Sequence, residues 1–164
     1  NTYNAEALQR VFSELGEVRN SKTLAYAIIN RRQQTPFVTT GDLVELCGKN
    51  LMGERMRYLS QVFQALRMEV NDELGVLAIF LEESYEMLAT GGRLAIITFH
   101  SLEDRMVKNY LKTGNLQGEP NKDFYGNIER PWELLTKKPL EPSDEETSKN
   151  NRARSSKLRV AAKK

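Results

Sequence analysis

Apolar positions in the first seventy residues recur at helical spacing and nowhere alternate. Leu8, Val11, Phe12 and Leu15 follow Asn4, a residue that caps helices, and the pattern stops at Gly16. Ser21 heads a second pattern, with Leu24, Ala25, Ile28 and Ile29 on one face. That helix must end before Pro36, because the residue preceding a proline is pushed out of helical geometry. Thr39 or Thr40 opens a short third helix around Leu43, Leu46 and Cys47, and residues 49–57 read as a polar connector. Leu59, Val62, Phe63, Leu66 and Val70 then mark a longer helix from Tyr58 to Val70. Residues 1–70 therefore predict a small all-α domain.

The pattern changes after Val70. Asp72 is placed to cap a helix carrying Leu74, Leu77, Leu81, Tyr85 and Leu88, which leads through Gly91-Gly92 into Leu94–Phe99. That run has no polar alternation, so it predicts a strand buried on both faces, as in a parallel sheet covered by helices. Ser101 reads as the cap of the next helix, with Glu103 and Asp104 in its first turn, where acids meet the helix dipole favourably. His100 and Ser101 then sit at the carboxyl end of the strand, the edge where open α/β sheets bind ligands. Residues 113–131 are rich in Gly, Asn and Pro and predict a long loop. Further strands are expected at Trp132–Lys138 and Lys157–Ala162, around a polar loop over residues 141–156. The fold class is α/β, a doubly wound grammar with three strands over residues 71–164. Three strands are too few to cover both faces of Leu94–Phe99, so the sheet reads as incomplete. The chain also opens at Asn1 rather than at a methionine, which adds to the expectation of a longer parent protein. An unpaired strand edge invites association, so a homo-oligomer through the incomplete sheet, or other covering partners, is expected.

Composition narrows the setting. The chain of 164 residues is 40% hydrophobic, enough for a core. No apolar run approaches the roughly 18 residues of a membrane span, and no signal peptide is recognisable, so a cytoplasmic protein is expected. The single Cys47 excludes a disulfide framework and a Cys-rich zinc site, and reads as a buried apolar residue. Net charge is +2, yet Ser148–Lys164 alone carries +7 with no acid, and the other residues sum to −5. Such a tail is either a solvated terminus or a contact for a phosphate-rich partner.

Several chemistries are excluded. No G-x-G occurs, so there is neither a dinucleotide fingerprint nor a glycine loop for S-adenosylmethionine. A Walker loop, a nucleophile elbow with Ser, His and Asp, and metal-ligand spacing around the lone His100 are also missing. His100 is either a strand-end cap or a residue lining a site. Glu103, Asp104 and Arg105 serve either the site or the helix dipole and an ion pair. Asn71-Asp72 is a helix break with an Asp cap, or part of a cleft. Arg152 and Arg154, among Asn and Ser residues, suit phosphate contacts or pair with Asp144, Glu145 and Glu146. Trp132 and Tyr125 read as core or loop anchors before stacking platforms.

Three segments together carry a resemblance: FQALRMEVNDELG (Phe63–Gly75), GGRLAIITFHSLEDRMVK (Gly91–Lys108) and KKPLEPSDEETSKNNRARSSKLRVA (Lys137–Ala161). In order and spacing they resemble the ribosomal RNA small subunit methyltransferase H family, also called MraW, and GEVRNSKTLAYAI (Gly16–Ile28) resembles that family's helical insert. The resemblance implies methyl transfer from S-adenosylmethionine to the exocyclic N(4) amine of a cytosine in 16S ribosomal RNA. It also implies an incomplete Rossmann-like methyltransferase sheet over residues 71–164, with residues 1–70 as an inserted substrate-binding domain. The family's cofactor loop and its Asp-containing segment match nothing in this chain, so no cofactor-binding or certain catalytic residue carries over, and no metal is implied. What carries over is a neighbourhood: Asn71, Asp72, His100, Ser101, Glu103, Asp104 and Arg105 as cleft-lining candidates, and Arg152, Arg154 and Lys157 as RNA contacts. The expectation is a carboxyl-terminal part of an rRNA methyltransferase acting on the small ribosomal subunit, inactive alone. The rival is a non-enzymatic RNA-binding helical module with a basic tail; methylation of DNA or protein is excluded only by the resemblance.

Overall fold

A computed structural model describes residues 1–164 as two compact units, Asn1–Glu73 and Leu74–Lys164. The first is all helical. Helix α1 (Ala5–Arg10) starts at Asn4, whose side-chain oxygen accepts the Ala7 N–H at 2.8 Å. It runs into a π-helical turn, Val11–Leu15, that ends at Gly16. Gly16 is required by packing: a Cβ there would sit 2.6 Å from the Gln61 carbonyl oxygen. Helix α2 (Ser21–Gln34) begins at the residue expected to cap it. Asn20 holds the cap position, but its amide donates to the Asn50 carbonyl instead, and Ser21 is buried as the first helical residue. Helix α3 (Thr40–Lys49) has Thr39 and Asp42 in a reciprocal capping box.

Helix α4 (Arg55–Asn71) starts three residues earlier than its apolar pattern suggests. The Glu54 carboxylate accepts the Met56 and Arg57 N–H groups, at 2.8 and 2.7 Å, and so takes the part of a shorter capping residue. Phe12, Leu24, Ala25, Cys47, Val62 and Ala65 form a fully buried core. Desolvation there pushes the Cys47 thiol up to about 11.

The second unit begins within α5 (Glu73–Met87) and continues through β1 (Arg93–Thr98), α6 (Ser101–Thr113), β2 (Trp132–Leu134), α7 (Asp144–Lys149), a 3-10 turn (Asn151–Ser155) and β3 (Lys157–Lys163). The sheet order is β1-β3-β2 with both pairs antiparallel, so β1 and β2 run in the same direction with β3 reversed between them. Ile96 lies opposite Arg159, and Leu134 opposite Ala161. Leu81 of α5 and Val107, Tyr110 and Leu111 of α6 pack with Leu94, Ile96, Trp132 and Ala161. Trp132 anchors this core edge-on to Tyr85, with ring centroids 5.2 Å apart.

Three expectations fail in this unit, the simplest being that residues 141–156, expected as a loop, hold α7 and the 3-10 turn. Strand β1 is not buried on both faces in a parallel arrangement. Leu94, Ile96 and Thr98 face the core, whereas Ala95 and Ile97 are exposed, Ile97 to 58%. An antiparallel strand packed on one face alternates in burial even where its sequence does not. The second strand is also shorter than expected, because Leu135 and Thr136 turn back onto the Val160 carbonyl and residues 137–139 leave the ladder.

Candidate functional site

The sequence candidates fall in both units, and each group belongs to its own. Asn71 and Asp72 close the helical unit. Asp72 is not a helix cap of the expected kind. It adopts a left-handed conformation (φ 49°) as the residue that ends α4, its N–H reaching the Glu69 and Met68 carbonyls, and α5 starts directly behind it. A non-glycine residue held there is strained, and a short Asp tolerates it better than most residues. Beside the break, the Arg67 guanidinium grips the Glu73 carboxylate in two hydrogen bonds of 2.7 and 3.0 Å, and the Asn71 amide donates to the same carboxylate at 3.3 Å.

In the second unit, the carboxyl end of β1 feeds α6 through a capping box whose cap is His100, not Ser101. The His100 Nδ1 accepts the Glu103 N–H at 3.4 Å. The Glu103 carboxylate in return accepts the N–H groups of Phe99 at 2.9 Å and His100 at 3.4 Å. An imidazole nitrogen replaces the usual serine oxygen in this position, which is why the sequence signal points one residue too late. Nε2 of the same ring lies 3.1 Å from the other Glu103 oxygen, off the line of a full hydrogen bond. Burial pushes the Glu103 carboxyl up, but the neighbouring imidazole and the Phe99 N–H outweigh it and hold the group below its ordinary value. Ser101 and Arg105 stay exposed on the outer side of this helix.

Asp104, one residue on, faces inwards. Strand β3 places Arg159 on the buried side of the sheet, opposite Ile96, and Asp104 accepts both arms of its guanidinium at 2.7 and 3.0 Å. Lys157 stands 3.8 Å from the same carboxylate. These hydrogen bonds and charges hold Asp104 well below the usual carboxylate range, against the effect of its burial. Two cations of the basic tail are thus engaged within the unit, Arg159 buried and Lys157 partly exposed. Lys163 is a third, donating to the Tyr85 carbonyl at 2.6 Å with its ammonium 4.2 Å from the Tyr85 ring centre. The tail is therefore not the uniform basic surface that its composition implies. Arg152 and Arg154 stay exposed on the 3-10 turn, and Arg154 shares a shallow cleft with Glu141 and Asp144. Trp132 is a core anchor, while Tyr125 is 86% exposed beside Phe124 at the tip of a tight loop.

Comparison with known proteins bears on the whole of this arrangement. The MraW methylase family matches residues 1–164. Proteins named ribosomal RNA small subunit methyltransferase H are similar to the chain across its length. That of Flavobacterium johnsoniae is 46% identical over 164 residues, 99% of this chain and 54% of the relative. That of Parabacteroides distasonis is 47% identical over 165 residues with the same coverage, and that of Amoebophilus asiaticus 48% identical over 161 residues. The chain spans about half the length of the curated relatives it matches. With a mixed α/β unit whose three-stranded sheet is consistent with part of a methyltransferase fold, the chain belongs to the MraW methylase family.

Proposed function

We propose that this chain is part of an enzyme that methylates 16S ribosomal RNA in the small ribosomal subunit, at the exocyclic N(4) amine of a cytosine. The observation that carries the reading is identity of 46–48% to proteins of that name over 98–99% of the chain. Work on ribosomal subunits belongs to the cytoplasm, and no helix is long and apolar enough to cross a membrane.

The family's methyl donor is S-adenosylmethionine, and the residues present do not fit it. The cofactor's carboxylate is suited to free N–H donors at a helix start. At the carboxyl end of β1 those donors are already held by the Glu103 carboxylate and the His100 ring. Of the glycines in left-handed conformation, Gly91 precedes β1 and Gly114 ends α6, so neither opens a helix at that end. No step of methyl transfer is therefore assigned to these side chains. Their role is to hold the substrate side. His100 and Glu103 fix the start of α6, Asp104 and Arg159 lock α6 to the sheet, and exposed cations meet RNA phosphates.

Incubating the full-length gene product with labelled S-adenosylmethionine and unmethylated small subunits tests the reading. Label recovered as N(4)-methylcytosine in 16S RNA supports it. Transfer to another atom, to DNA or to protein, or RNA binding without transfer, overturns it. For residues 1–164 alone, calorimetry should detect no specific S-adenosylmethionine binding; micromolar affinity would contradict the division of roles.

A further inference from the structure

Three of the tail's cations, Lys157, Arg159 and Lys163, are engaged within the protein, and the structure gathers further positive charge elsewhere. A cleft of about 360 Å³ in the second unit is lined by Lys108 and Lys112 of α6, by Leu134 of β2, and by Lys137, Lys138 and Pro139 of the turn that follows, with Leu111 and Arg159 below. No carboxylate lines it. Asp104 is already gripped by Arg159, which lines the cleft, and also feels Lys157 and Lys108.

This arrangement is built by the fold. Lys108 and Lys112 are four apart on one helix, so they share a face, where like charges repel. The turn opposite is tethered at both ends. The Thr136 N–H reaches the Val160 carbonyl at 3.1 Å and its hydroxyl accepts the Val160 N–H at 2.9 Å. Leu140 and Leu158 exchange two backbone hydrogen bonds of 2.8 and 2.9 Å. Lys137 and Lys138 are held out between these ties, ahead of a proline that stiffens the turn. One lysine in the last turn of α6 suits the helix dipole. Four lysines drawn around one cleft without an acid do not stabilise the fold, and they call for an anion from outside.

We propose that this cleft is the track for the phosphodiester backbone of the RNA substrate, a contact separate from Arg152 and Arg154. The donors are lysine ammonium groups on flexible stems, which match phosphates by charge rather than by a fixed fork. The adjoining end of α6 presents carbonyls, so it offers no N–H cradle to a small phosphate. Leu134 and Pro139 give the cleft an apolar surface against which a ribose can lie. This is the chemistry of sequence-independent backbone contact, which positions an RNA without reading it. The inference rests on the proposed RNA substrate.

The test is full-length protein with Lys108, Lys112, Lys137 and Lys138 all changed to Gln, titrated with 16S RNA over a range of salt. A second variant, K137Q/K138Q, alters only the exposed turn and guards against misfolding of the first. The quadruple variant should bind about tenfold or more weakly at physiological salt, and the slope of log K against log salt should shrink by roughly 0.7 for each phosphate no longer neutralised. The double variant should show about half that reduction in slope. Removing Arg152 and Arg154 should change the slope less. Unaltered affinity and slope in a folded variant, while the wild type methylates 16S RNA, overturns the cleft and leaves the function standing. Lysine-dependent RNA binding by a wild type that transfers no methyl group does the reverse.

Discussion

The two units solve the problem of burial differently. In the helical unit, Phe12, Leu24, Val62 and Ala65 are wholly enclosed by residues of α1 to α4 and the π-helical turn. In the sheet unit only one face is enclosed: Leu94, Ile96 and Ala161 are covered by α5 and α6, while Ile97 and Phe99 face outwards, each more than half exposed. The sheet unit also places a charged pair, Asp104 and Arg159, where the helical unit uses hydrocarbon. A packed apolar core tolerates loss of one group by partial collapse, whereas a buried ion pair deprived of one partner leaves an uncompensated charge. The two units should therefore fail for different reasons, and separately.

The sharpest break is Asp104→Ala, which strands the Arg159 guanidinium in the core. It should cost the sheet unit about 3–5 kcal/mol. Trp132, the chain's single tryptophan, is buried in that unit, so its fluorescence reports it selectively during denaturant unfolding. A midpoint that does not move would show that the pair adds nothing. Next in size is Phe12→Ala in the helical core, expected to cost about 3–4 kcal/mol. The helical circular dichroism transition should shift and the Trp132 transition should stay in place. If both move together, the two units unfold as one and the contrast fails.

How much of this is legible in the sequence follows the same division. Helices of the first unit announce themselves because period and caps coincide at Asn4 and Thr39. The exceptions are local hydrogen bonds with unusual donors and acceptors, such as Glu54 capping α4. In the second unit the element order is readable, but the burial of β1 is not. Leu94 to Phe99 are apolar on both sides, and composition cannot say which side has a neighbour. Arg159 counts as tail charge in the sequence because strand alternation, which turns it inwards, gains meaning only once Asp104 is brought opposite it from 55 residues away. The lysine cleft is invisible for the same reason, since Lys112 of α6 and Lys137 after β2 line one cleft only in the folded chain. His100 stands out correctly as a strand-end residue, while the sequence pattern assigns its capping role to its neighbour Ser101.

Acid should separate the units further. The folded-state pKa of Asp104 lies below its ordinary value of 3.8, so the unfolded chain takes up the proton first as pH falls. The pair's contribution is therefore fully present above that ordinary value and is lost as pH drops through the lower, folded one. Trp132 fluorescence should report destabilisation of the sheet unit below about pH 4, and D104N should abolish that part of the pH dependence. An identical acid profile for the variant would assign the effect to other carboxylates.

The smallest expected effect tests the open face directly. Ile97 points away from the core on β1, so Ile97→Ser in residues 1–164 should alter stability by no more than about 0.5 kcal/mol, whereas Ile96→Ser, one residue away and buried, should cost several times as much. The pair of variants asks whether burial in this strand truly alternates. A loss at Ile97 matching that at Ile96 would mean that something covers the outer face. If that loss also grows with protein concentration, the cover is a second copy of the chain, because only an intermolecular contact depends on concentration.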